Sequence, residues 1–155
     1  MIRLAATLAL LAGAAQAQCA DDRVTISGRW GHADFAVTIA DTTAERAQGL
    51  MFVDRMPTMT GMLFIYESPQ STSFWMHNTL IPLDMLFADT TGRIVTVHEN
   101  AVPLDKTGIP GGDNIRFVLE INGGLSARLG IKAGDLMQHP AVGPDPAYPC
   151  PVLSR

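Results

Sequence analysis

The stretch SFWMHNTLIPLDM, Ser73–Met85, places an indole, an imidazole, an amide, a hydroxyl and a carboxylate in an otherwise apolar run. Such groups are costly to bury unless each has a partner, so they indicate either an ordered polar network or a binding site. Phe74–His77 and Asp84–Ala88 favour two short strands on either side of Leu80–Pro82.

Working outward, the chain is dominated by further strand patterns. Alternation of apolar and polar residues, or a short apolar run between turn residues, predicts half-buried or buried strands. These segments are Val24–Trp30, Phe35–Ile39, Met62–Tyr66, Arg93–His98, Ile115–Asn122 and a last strand that ends at Gln138. Gly31-His32 is expected to connect the first two as a hairpin.

Two short helices complete the predicted elements. Thr42 and Glu45 form a capping-box pattern, and Gly49 ends that helix; Gly124–Leu129 forms the second. Glu99–Asn114 contains two prolines and three glycines and predicts a long loop that could act as a flap. The fold class is therefore α+β and β-dominated: a mainly antiparallel sheet curled towards a small barrel, with two short helices.

The ends of the chain predict export. Residues 1–17 have a basic start, a short apolar run and an A-x-A site, the pattern of a secretory signal peptide; an uncleaved anchor is the alternative. Gln18 before Cys19 disfavours lipidation. We expect a single domain over residues 18–139, a proline-rich tail over 140–155, and a periplasmic or secreted location.

Charge limits the classes of partner. The net charge is −4, and removing Arg3 with the signal peptide makes it −5. A mildly acidic surface disfavours nucleic acid and anionic membranes. The expected partner is a small molecule or a periplasmic protein, and we expect a monomer without a cofactor.

The two cysteines lie near the two ends of the exported chain. Cys19 and Cys150 favour a structural disulfide in an oxidising compartment. Closing nearly the whole chain into a loop contributes about 4–5 kcal/mol in the chain-entropy model. Free thiols and soft-metal ligation are the alternatives.

Several motifs together resemble one family. They are GLMF (49–52), GMLF (61–64), SFWMHNTLIPLD (73–84), LEINGG (119–124) and RLGIKAGD (128–135). In order and spacing they resemble the DUF192 family (domain of unknown function 192, also UPF 0127) over about residues 36–139. The resemblance implies a compact β-rich domain, usually exported in bacteria, with no established activity. It also implies a basic residue after Trp-Met, where this chain has His77, which can be neutral.

Trp75, His77, Asn78 and Thr79 are the first candidate site. With Trp75 and His77 on one strand face, they predict a ligand platform with an indole for stacking and polar groups for orientation. The alternative is that Trp75 belongs to the core and that Asn78 and Thr79 satisfy a turn.

Asp84 and Glu120 are the candidate carboxylates, which could bind ligand or, with His77, perform acid–base chemistry in a small enzyme. Structural roles are favoured over these: Asp84 could accept backbone amides and Glu120 could form an ion pair with Arg116, because structural ion pairs perturb carboxylates as active sites do.

Met56, Met59 and Met62 recur at a spacing of three and could bind Cu(I), or fill the core. A zinc site at the scattered histidines lacks any ligand spacing. Hydrolase, phosphate-loop and dinucleotide motifs are absent from the sequence. The preferred hypothesis is an exported, non-enzymatic binding module; the alternatives are the acid–base enzyme and a Cu/Zn-handling protein.

Overall fold

The computed structural model describes residues 19–151. The chain forms seven strands and two short helices, named here in chain order. They are β1 (Arg23–Gly28), β2 (Gly31–Ala40), α1 (Thr43–Gln48), β3 (Thr60–Phe74), β4 (Leu83–Ala88), β5 (Ile94–Ala101), β6 (Ile109–Asn122), α2 (Leu125–Leu129) and β7 (Leu136–Gln138).

All seven strands belong to one curled sheet. Their order is β5-β4-β6-β3-β2-β1-β7, and every pair is antiparallel except β2 with β3. A bridge between Arg93 and Leu136 brings the two edges together at one end. The sheet is thus a half-barrel, and the predicted fold class is confirmed.

The capping box of α1 is also confirmed. Thr42 Oγ1 accepts from the Glu45 backbone N–H at 3.2 Å, and Glu45 Oε2 accepts from the Thr42 N–H at 3.0 Å. The Gly49 N–H donates to the Glu45 carbonyl at 2.8 Å and ends the helix. The exchange satisfies backbone donors that a helix start otherwise leaves free.

Three predicted boundaries are wrong. β3 does not end near Pro69 but continues to Phe74, because shifts in its register with β6 absorb the proline. Trp75 and His77 therefore follow a strand instead of sharing a strand face. Arg29 and Trp30 form the turn between β1 and β2, two residues earlier than the predicted Gly31-His32 connection.

The predicted long loop over Glu99–Asn114 is wrong as well. β5 extends to Ala101 and β6 begins at Ile109, which leaves a connection of residues 102–108. Pro110 is accommodated because that part of β6 pairs with β3 near register irregularities. A long, free flap is therefore absent from this part of the chain.

The two faces of the sheet pack into two apolar clusters. One cluster contains Leu119 and Ile121 of β6. The other contains Val118, which precedes Leu119 in the same strand, together with Met85 and Phe87 of β4. Since side chains alternate across a strand, Glu120 lies on the Val118 face. This second face carries the site described below.

The chain ends meet as expected. Cys19 and Cys150 form a disulfide with a Cα–Cα distance of 5.6 Å, and they are 131 residues apart. Gln138 Nε2 donates to the Pro149 carbonyl at 2.6 Å, and Val142 is buried against the core. The signal peptide predicted for residues 1–17 lies outside the described residues. Within 19–151, none of the helices has the length and apolar character needed to cross a bilayer.

Candidate functional site

The polar segment after β3 lies where three loops meet. Backbone hydrogen bonds join it to the loop after α1, through the Phe52 N–H and the Asn78 carbonyl at 2.9 Å. Two more join it to the 102–108 loop: Leu104 N–H to the Thr79 carbonyl at 3.1 Å and Met76 N–H to the Asp105 carbonyl at 2.8 Å. The turn needs a left-handed residue at Asn78, with φ of 54°, a conformation that asparagine tolerates.

Trp75 is not a core residue. Its side chain is 53 % exposed, whereas its neighbour Met76 is fully buried and anchors the segment. The Trp75 and His77 rings lie 5.0 Å apart, centroid to centroid, in a tilted arrangement. An exposed indole held beside an imidazole provides area for stacking on a ligand.

A small cavity of about 40 Å³ brings most of the predicted site residues together. Its walls include Trp75, His77, Thr79 and Glu120, with Arg46 and the Gln48–Met51 segment on the α1 side. We call it the Glu120 cavity. It has room for a water molecule or a small functional group of a larger ligand.

Glu120 is the unusual member of this cavity. Its side chain is only 4 % exposed, and burial raises the pKa of its carboxyl group to about 8. Burial is the cause of this shift, and no side-chain hydrogen bond to the Glu120 carboxyl is found among residues 19–151. The alternative of an ion pair with Arg116 is therefore wrong; that guanidinium lies 5.6 Å from the Phe117 ring centroid. At neutral pH Glu120 is mostly a neutral acid that can donate a hydrogen bond.

His77 supplies a second unsatisfied group. Its Nε2 lies 3.2 Å from Asn78 Nδ2, and because an amide nitrogen only donates, Nε2 accepts. This network assigns the proton of the neutral ring to Nδ1. Nδ1 is buried and has no partner within the described residues. A buried donor of this kind is normally satisfied, so it is a candidate contact for a ligand.

Asp84 is separate from this cavity. Its fully buried carboxylate accepts hydrogen bonds from the backbone N–H groups of Asn100, Gly124 and Ser126 at 2.7–2.8 Å, and from Ser126 Oγ at 2.5 Å. In the register of β4 with β6 it lies opposite Ile121, whereas Glu120 lies opposite Met85. Asp84 therefore lies on the other sheet face and orients backbone around α2, which matches the structural role left open above.

Arg46 contributes a cation that sequence reasoning missed. Its Nη1 donates to the Ile65 carbonyl at 2.9 Å and to the Asp41 carbonyl, and the guanidinium lies 5.1 Å from the Tyr66 ring centroid. These contacts hold a positive charge at the cavity wall. Only the packing of α1 on the sheet brings it there, so the local sequence contains no signal for it.

A larger, apolar groove lies beside the cavity on the same sheet face. It has a volume of about 510 Å³ and is lined by Met51, Met56 and Met62 with Val37, Leu50 and Val53, among others. We call it the methionine groove. Met59 does not line it and is 36 % exposed, so the predicted set of Met56, Met59 and Met62 is not brought together in this groove. Within residues 19–151 no cluster of three or more His, Cys, Asp or Glu residues is arranged to hold a metal ion.

Two exposed apolar residues beside the Asn78 turn have a strained backbone. Phe52 and Leu104 are 68 % and 57 % exposed, and each has φ of 65°. Bulky residues rarely adopt this backbone conformation, and such strain concentrates at binding sites. Both residues donate the backbone bonds that hold the Asn78 turn.

The fold and the site define a small, β-rich half-barrel domain with a buried, unpaired carboxyl group on one face. The chain belongs to the DUF192 family, described as an uncharacterized ACR, whose profile matches residues 23–139. The family assignment from the sequence motifs is confirmed.

Two solved structures are similar to this chain. A protein of unknown function from Novosphingobium aromaticivorans DSM 12444 is 45% identical, with a TM-score of 0.73 over 74% of this chain and 82% of that one. A protein from Sinorhizobium meliloti 1021, described as "a putative transcription regulator", is 38% identical, with a TM-score of 0.73 over 79% of this chain and 95% of that one. No curated protein matches.

Proposed function

We propose that this protein is an exported binding module that takes a small ligand at the Glu120 cavity. The ligand offers an acceptor oxygen, such as that of a carbonyl or carboxylate group. The observation that carries the proposal is the convergence of Trp75, His77 and Thr79 with Glu120, whose carboxyl is buried without a partner.

The chemistry of the cavity supports an oxygen ligand. Neutral Glu120 and His77 Nδ1–H are two donors without partners among the described residues, and Arg46 adds a nearby positive charge. A ligand oxygen that accepts a hydrogen bond from such a donor offsets the cost of burying it. Trp75 then covers the bound group from the solvent side.

Export remains part of the proposal. The disulfide between Cys19 and Cys150 supports it, because such bonds persist in oxidising compartments. The N-terminal sequence pattern supports it independently. The regulatory role in the description of the Sinorhizobium protein is not extended to this chain, since a net charge of −4 disfavours DNA binding.

An acid–base enzyme is the second candidate, now with fewer groups. Asp84 is fully bonded on the opposite face of the sheet, so Glu120 and His77 are the remaining pair. A carboxyl with pKa of about 8 is suited to proton transfer near neutral pH. Binding is preferred because it needs only the donors described above.

A fragment screen by NMR tests the proposal. The chain has two tryptophans, and Trp30 is an internal control because its Nε1–H donates to Asp135 Oδ2 at 2.8 Å, away from the cavity. Small carboxylates, amides and ketones should shift the Trp75 indole N–H signal and leave that of Trp30 unchanged.

The matched variants separate the cavity from the general surface. Glu120→Leu removes the donor at similar volume and should abolish the shifts, while the same change at exposed Glu67 should preserve them. Shifts that survive in folded Glu120→Leu would contradict binding at this cavity.

A further inference from the structure

We propose that the site takes an amphipathic molecule, with its oxygen-bearing end at the Glu120 cavity and its apolar body in the methionine groove. The inference rests on the proposed function and adds the class of ligand. It is carried by the position of the groove, the nature of its lining and the distribution of charge around it.

The floor of the groove continues into the floor of the cavity. Met62 of β3 lies directly opposite Glu120 of β6 in the antiparallel register. Opposite residues of such a pair point to the same sheet face, with Cβ atoms about 4.5–5.5 Å apart. The Gln48–Met51 segment lines both spaces, so one ligand can contact the groove and the cavity around a common wall.

The lining of the groove favours a small apolar molecule over a protein surface. Its volume of about 510 Å³ lies within the range of small-molecule sites, about 300–1,000 Å³. Leu50 is buried and the three lining methionines are half-buried, so the apolar groups are recessed. Methionine side chains adapt to ligands of different shape.

Charge sets the direction of the ligand. Arg46 lies in the wall of the cavity, and Asp22 is the charged residue that lines the groove. An anionic or carbonyl end is attracted to the cavity and repelled from the Asp22 end. A linear fatty acid is the simplest molecule that matches this arrangement.

Calorimetric titration with a series of carboxylates tests the inference. Acetate, hexanoate and dodecanoate, each below its micelle-forming concentration, should bind with increasing affinity, by about fourfold per methylene group that enters the groove. Dodecylamine, with a cationic end, should bind at least tenfold more weakly than dodecanoate.

Variants locate the chain in the groove. Met56→Gln should weaken dodecanoate binding about tenfold and leave acetate binding unchanged, because only the longer ligand reaches that wall. Met59→Gln is the matched control outside the groove and should change neither affinity.

Three results would overturn the inference. If all acids bind with the same affinity whatever their chain length, the groove does not hold the apolar chain, although the proposed function is unaffected. Dodecanoate binding that is equal in wild type and Met56→Gln would place the chain elsewhere. If none of the acids binds and Cu(I) raises the Tm of the wild type but not that of Met56→Gln, the groove would be assigned to a soft metal. The NMR fragment screen would still test ligand binding at the Glu120 cavity separately.

Discussion

Two buried carboxyl groups, Asp84 and Glu120, lie on neighbouring strands, and their surroundings are opposite. Asp84 is fully buried and accepts four hydrogen bonds, three from backbone N–H groups and one from a hydroxyl. Glu120 is 4 % exposed, borders a cavity and has no partner among residues 19–151. The two carboxyl groups are similarly buried, but Asp84 has a structural role whereas Glu120 is free to interact with a ligand.

The difference follows from the sheet. A step of one residue in register moves a side chain to the other face. On one face Asp84 meets the turn before α2, which supplies N–H donors, while on the other Glu120 meets apolar side chains and the cavity. A buried carboxyl group without a hydrogen-bond partner lowers the free energy of unfolding. Destabilising groups of this kind are typical of functional sites.

The largest expected effect is at Asp84. Asp84→Ala leaves three backbone donors, of which the Ser126 N–H is buried, and the Ser126 hydroxyl without their acceptor, so the free energy of unfolding should fall by about 3–5 kcal/mol. Urea denaturation measures the change. Asp54→Ala, at an exposed position, is the control and should change stability by less than about 0.5 kcal/mol. A loss of unfolding free energy in Asp84→Ala as small as that of the control would contradict the structural role assigned to Asp84.

The buried carboxyl group of Glu120 should lower the stability of the fold, in contrast to that of Asp84, and the size of this effect should depend on pH. Its folded-state pKa is raised to about 8, so the folded chain keeps a proton that the unfolded chain loses above its ordinary value of 4.5. Stability therefore falls as pH rises between these values, by about 1 kcal/mol per pH unit, and levels off above them.

Glu120→Gln removes this titration while keeping the size of the side chain. The variant should be roughly 3 kcal/mol more stable than wild type at pH 8, relative to their difference at pH 5. Denaturation midpoints of both proteins across this pH range provide the measurement. Parallel curves for the two proteins would show that Glu120 ionises normally in the fold.

Ser126→Ala should have a smaller effect than Asp84→Ala. It removes one of the four donors to Asp84 but leaves the backbone N–H of residue 126 in place, so we expect a loss of about 1–2 kcal/mol. A loss as large as that at Asp84 would mean that the hydroxyl, and not the backbone set, dominates the network.

Trp75→Ala should have the smallest effect on stability. More than half of its side chain is exposed, so we expect a change below about 1 kcal/mol, with loss of ligand-induced shifts. Trp30→Ala is the contrast, because that ring packs on the core and donates to Asp135 Oδ2; it should cost about 2–4 kcal/mol. Unfolding of Trp75→Ala would make that residue part of the core and end the platform hypothesis.

Much of the fold could be predicted from local signals. The capping box at Thr42 and Glu45, the apolar alternation in β6 and the terminal cysteines each have a direct physical meaning at the level of sequence. The boundaries around Pro69 and Pro110 could not be predicted, because both prolines lie near register irregularities that only the pairing of β3 with β6 creates.

The candidate site was predictable in its residues but not in its arrangement. The unusual polar content of Ser73–Met85 singles out Trp75, His77 and Thr79, and the strand face singles out Glu120. Their convergence depends on the register that sets Glu120 opposite Met62, and the cation at Arg46 depends on helix packing. These are long-range facts of the fold, which no local pattern contains.

The most direct test of the central claim is an NMR titration of the Glu120 side-chain carboxyl carbon in the folded protein. Burial without a partner predicts a midpoint near pH 8 and a neutral acid at pH 6, free to donate to a ligand oxygen. A midpoint near the ordinary value of 4.5 would show that the carboxyl is satisfied as a charged group, and would contradict the distinction drawn between Asp84 and Glu120.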